Sequence, residues 1–127
     1  MTEQTKMTPE HFKSFRELCE NWLGVLGIAD YEVEFKCSAL DENTWATTCS
    51  DSKGKTAIIT LNSTLPCEES ETQTSLDSTA FHEACEVMVA DLWYYIPDAC
   101  GEEVEGVIHS IINRLSKVIR GNFSKEN

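Results

Sequence analysis

Phe81-His82-Glu83-Ala84-Cys85-Glu86 is the stretch on which the reading of this chain turns. Positions four apart share one face of a helix. The string H-E-x-x-H uses that spacing to present two histidines to one zinc ion, with the glutamate between them as general base. Here Glu86 takes the second histidine's place. At about 100° per residue, His82, Glu86, Val89 and Trp93 fall on one face. The outer two are core-type residues, so His82 and Glu86 are expected to point inward. An ionisable pair on a buried stripe costs several kcal/mol unless a partner or a metal neutralises it. Glu83 lies about 100° round the helix, beside that face, where a base that is not a ligand would stand.

Working outward, the stretch belongs to a helix predicted from about Ser75 or Asp77 to Trp93 or Tyr95. Upstream, Tyr31, Val33, Phe35, Cys37 and Ala39 alternate with polar residues, the period-two mark of a strand. Trp45 to Cys49 and Thr56 to Leu61 are further β-rich runs, and Asp51-Ser52-Lys53-Gly54 between them predicts a hairpin. Asn62 to Thr74 is polar and contains Pro66, which predicts a loop.

Thr8-Pro9-Glu10 starts an earlier helix, with a hydroxyl cap, proline at the first position and an acid in the first turn. Phe12, Phe15, Cys19, Trp22, Leu23 and Leu26 carry it over 9–26, and Gly27 offers a stop. After the turn at Pro97, Asp98 and Gly101, Val104, Val107, Ile108, Ile111, Leu115 and Val118 form the stripe of a last helix, 102–120, that Gly121 can end. The expected fold is α+β in the order αβββαα, a three-stranded antiparallel sheet packed against helices. It is expected to be a single domain over 1–127, its core at 9–121 and 1–7 disordered.

If the last two helices form a hairpin about residue 97 or 98, Glu86 stands level with His109, with Glu105 one turn away on the same face. The candidate metal set is His82, Glu86 and His109, with Glu105 in reserve. Two histidines and a carboxylate form a catalytic zinc set, and equally the ligand set of facial-triad iron enzymes. His109 sits at the edge of its apolar stripe. A plain ion pair on a helix face, worth a few tenths of a kcal/mol, is the other reading of His82 and Glu86. His11 reads as a residue of an N-terminal turn, Trp22, Trp45 and Trp93 as core, and Arg114 and Lys117 as a solvated face.

The 127 residues carry a formal net charge of -12. That balance argues against direct nucleic-acid binding and for high solubility or a basic protein partner. No apolar run approaches the roughly 20 residues of a membrane span, and Met1 to Met7 lacks a signal-peptide hydrophobic region. A cytoplasmic location is expected. Cys19, Cys37, Cys49, Cys67, Cys85 and Cys100 form no C-x-x-C pair. They read as free thiols buried as small hydrophobes, with disulfides as the alternative.

Over most of residues 20–116 the chain resembles a family of small phage-type metallopeptidases, minimal zincins related in outline to the SprT-like proteins. The resemblance runs through Trp22-Leu23, Tyr31-Glu32-Val33, Trp45-Ala46-Thr47, Ala57-Ile58-Ile59-Thr60-Leu61-Asn62, Phe81-His82-Glu83, Asp91-Leu92 and His109 to Leu115. It implies a short antiparallel sheet, an active-site helix and zinc-dependent hydrolysis of a peptide or protein substrate. His82 would then be a ligand and Glu83 the catalytic base. Glu86 departs from that template, which leaves a non-catalytic acidic binding protein, an inhibitor or nucleic-acid mimic on the same scaffold, as the alternative.

Overall fold

Thr8 caps the first long helix. Its hydroxyl accepts from the His11 backbone N–H, while the Thr8 N–H donates to His11 Nδ1, both at 3.1 Å. His11 thus completes a capping box, the N-terminal-turn role read from its position. The structure, a computed structural model, describes residues 3–125. Helix α1 spans Pro9–Val25 and ends in a Schellman motif, with Ile28 N–H on Leu23 O and Gly27 N–H on Gly24 O. Gly27 adopts φ 75°, the left-handed conformation that this ending requires and glycine accepts without strain.

Before α1 lies a short strand, β1 (Thr5–Lys6); after it come β2 (Glu32–Ser38), β3 (Ala46–Asp51), β4 (Thr56–Asn62) and β5 (Thr64–Leu65). Helices α2 (Thr72–Met88), α3 (Ala90–Tyr94) and α4 (Gly101–Lys125) follow, with 3-10 turns at Glu69–Glu71 and Asp98–Cys100. The chain divides after Ala90 into two compact units.

The α+β class is as expected, but the sheet differs from an antiparallel meander. The predicted hairpin forms, β3 running antiparallel to β4 from Ala46↔Leu61 to Asp51↔Thr56. Lys53 N–H closes its turn on Asp51 Oδ1, and Lys55 takes φ 54°. Strand β2, however, pairs parallel to β4, from Glu32↔Thr56 to Ser38↔Asn62, so the order is β2-β4-β3. The physical reason is burial. Ala57, Ile59 and Leu61 of β4 are buried, so the most apolar strand takes the centre and the polar Ala-Thr-Thr-Cys-Ser-Asp strand an edge.

That arrangement makes the 39–45 loop cross the end of β4, where Asn62 holds it. Asn62 is 2% exposed. Its Nδ2 donates to the carbonyls of Asp41 and Thr44 at 3.0 and 2.6 Å, and its Oδ1 accepts from Leu40 and Thr64 N–H. A buried amide so fully bonded offsets its desolvation.

Strand β1 pairs with β5 in a separate two-stranded sheet, and Met7 is buried. Leu65, Cys67 and Thr72 are buried too, so the 62–74 segment is anchored and α2 begins three residues before Ser75.

In the first unit, α1 and α2 pack together through Phe15, Cys19, Trp22 and Leu23 against Leu76, Ala80, Phe81 and Ala84, and α2 also packs on β3. The second unit departs from its expected stripe. Ile108 and Ile112 are buried, whereas Val107, Ile111 and Val118 are exposed. Periodicity gathers apolar residues on one side but does not say how wide a strip is covered. Helix α4 runs through Gly121 to Lys125, since one helical glycine costs only about 1 kcal/mol. Trp22 is buried as expected, but Trp45 and Trp93 are half-buried. Among the described residues, no helix is long and apolar enough to cross a membrane.

Candidate metal centre

Helix α2 buries Leu76, Ala80, Glu83, Ala84 and Val87, a stripe with three- and four-residue spacing that faces the first unit's core. Glu83 belongs to that stripe and His82 and Glu86 flank it. This reverses the expected arrangement. Glu83 is 5% exposed, whereas the side chains of His82 and Glu86 retain 35% and 20% of their accessible surface. The cause is the helix break. The helix stops at Met88, with Val89 as its C-cap at φ -95°, ψ 5°, so Val89 and Trp93 do not extend the wheel that set the expected phase.

His82 Nε2 lies 3.6 Å from Glu86 Oε1, one turn along the helix. The pair therefore presents an imidazole nitrogen and a carboxylate oxygen side by side at a half-open surface. His109, in the second unit, is half-buried on α4, while Glu105 is exposed. His82 offers a ring nitrogen and Glu86 a carboxylate oxygen as metal donors on α2, and His109 is a donor of the same kind on α4 of the other unit. Their donor chemistry fits zinc, and it fits other divalent ions that accept imidazole and carboxylate.

Glu83 has a different environment. Thr48 Oγ1 on β3 donates to Glu83 Oε1 at 2.8 Å. Desolvation by burial pushes the carboxyl up to about 7, helped by the nearby charge of Glu86 and opposed by the Thr48 hydrogen bond. A buried carboxyl poised near neutrality can both take and return a proton.

Two structural partners were missed by reading along the chain, Thr48 for Glu83 and Asn62 for the 39–45 loop. The alternation of β3 was the available signal for Thr48. Counted from Ala46, it places Thr48 on the strand's inward face.

Burial of the cysteines also differs from expectation. All six are free thiols, but only Cys19, Cys67 and Cys85 are buried, while Cys37, Cys49 and Cys100 are exposed. Cys37 and Cys49 lie on the two edge strands.

No protein-family model matches this chain, and neither a curated protein nor a solved structure matches it.

Proposed function

We propose that this chain is a metal-dependent peptide hydrolase of the minimal-zincin kind, with His82 and Glu86 as donors to a divalent cation, zinc by preference, and His109 as the further ligand that the sequence spacing names. The observation that carries this reading is local to α2. A buried carboxyl, Glu83, directly follows a half-exposed histidine whose Nε2 is 3.6 Å from a second carboxylate. The resemblance to phage-type metallopeptidases supports the same assignment.

A bound zinc ion would supply Lewis acidity and a more acidic water. The protein's own contribution is proton handling. Glu83, pushed up to about 7, accepts the proton of the attacking water at neutral pH and returns it to the departing amine. His82 and Glu86 hold their donors one turn apart on a rigid helix.

Elemental analysis of protein purified without chelator or nickel affinity tests the reading. About one zinc per chain is expected. His82→Ala should lose the metal and the hydrolysis of fluorescently quenched casein. Glu83→Gln should keep the metal and lose hydrolysis. Protein that carries no metal and gains no thermal stability from added zinc would sink the proposal.

The surface favours a second reading, a non-catalytic binding protein for a basic partner. Glu68, Glu69, Glu71, Glu102, Glu103 and Glu105 are all exposed, in a chain of net charge -12. Such binding would weaken steeply with added salt.

A further inference from the structure

We propose that Thr48 is the positioning residue for the Glu83 carboxyl, its hydroxyl fixing Oε1 and with it the orientation of the carboxyl plane. The inference deepens the hydrolase reading and rests on it for its catalytic part.

The argument begins with register. Thr48 pairs across the ladder with Ile59 of β4, which in turn pairs with Phe35 of β2. Cross-strand partners project to the same face, and Ile59 is fully buried. Thr48 therefore projects inward, towards α2, while its neighbours Thr47 and Cys49 are exposed on the opposite face. The side chain that reaches the active helix is thus selected by β-sheet alternation.

Geometry then selects the acceptor. Thr48 Oγ1 lies 2.8 Å from Glu83 Oε1 and 3.5 Å from the Glu83 carbonyl oxygen. One hydroxyl carries one proton, and the shorter contact, to the carboxyl, takes it. Threonine is also stiff at χ1, because two heavy atoms branch from its Cβ. A donor fixed on a strand orients the carboxyl more firmly than water would. Loss of such an orienting partner beside a metal site typically costs 10- to 100-fold in activity.

Thr48→Val removes the hydroxyl and keeps the shape, and Thr48→Ser keeps the hydroxyl. Thr48→Cys, with only a weak S–H donor, serves if the valine variant does not fold. Two measurements are made on the full chain. The first is the carboxyl 13C signal of Glu83 in metal-free protein, identified by its loss in Glu83→Gln. The second is casein hydrolysis by the zinc-loaded protein.

The expected result is that Thr48→Val or Thr48→Cys displaces the Glu83 signal and lowers kcat at least 10-fold, with KM and zinc content unchanged. Thr48→Ser should leave both readouts close to the parent's. An unmoved carboxyl signal overturns the assignment, and so does a displaced signal with unchanged kcat. Absence of turnover in the parent overturns the hydrolase reading instead. The carboxyl signal then decides the Thr48 assignment, displacement supporting it and an unmoved signal overturning it.

Discussion

The indole of Trp22 meets the ring of Phe81 edge to face, with centroids 4.9 Å apart and planes at 85°. The same indole donates Nε1–H to Asp77 Oδ1 at 3.2 Å. Trp22 therefore ties α1 to two successive turns of α2, and the residue next to Phe81 is His82. Packing in the first unit and placement of the candidate ligand are one piece of structure. Phe81 is 1% exposed, so Phe81→Ala should cost about 3–5 kcal/mol. Urea denaturation of the metal-free protein measures it, and a loss under about 1 kcal/mol would contradict this view of the core.

The pH dependence of stability follows from Glu83. Its ordinary value of 4.5 rises to about 7 in the fold. Below about pH 4.5 both folded and unfolded states hold the proton. Between that value and about 7 the unfolded chain releases it while the folded chain keeps it, so stability falls as pH rises. The difference between about 7 and 4.5 corresponds to about 3 kcal/mol. Urea midpoints for metal-free protein should therefore drop between pH 5 and pH 8 through this group, and Glu83→Gln should flatten most of that drop. Equal slopes in parent and variant would exclude Glu83 as the cause.

Asn62 makes a prediction independent of any activity. Asn62→Ala removes an amide that bonds to Asp41, Thr44, Leu40 and Thr64, and leaves backbone groups of the 39–45 crossing without their partners. The cost should be about 2–4 kcal/mol, several lost bonds at about 1 kcal/mol each. Amide exchange should quicken first at Leu40 and Thr64, whose N–H groups lose their acceptor. Protection unchanged at both would mean that the side chain does not hold the loop.

Thiol chemistry checks burial directly. Cys37, Cys49 and Cys100 are exposed and should react with a disulfide reagent in native protein, whereas Cys19, Cys67 and Cys85 should wait for denaturant. Burial pushes the Cys85 thiol up to about 12 and raises that of Cys19 as well, so little thiolate forms at either. Six fast thiols in folded protein would contradict the packing of α1 on α2.

Much of this protein is written in short-range chemistry. Thr8 and Pro9 start α1, Gly27 ends it, and Asp51 to Gly54 turn the hairpin, because each depends on residues within a few positions. The proximity of His82 to Glu86 is of the same kind, a consequence of helical pitch alone. Tertiary structure decided the rest. Whether β2 ran beside β3 or β4 depended on which strand gained most from a central place, a comparison of burial that no single strand contains. The phase of α2 depended on where that helix stopped and on what lay against it, and this put Glu83 rather than His82 inside. Thr48 reaches Glu83 across 35 positions of chain, a distance closed only when the sheet and the helix pack together.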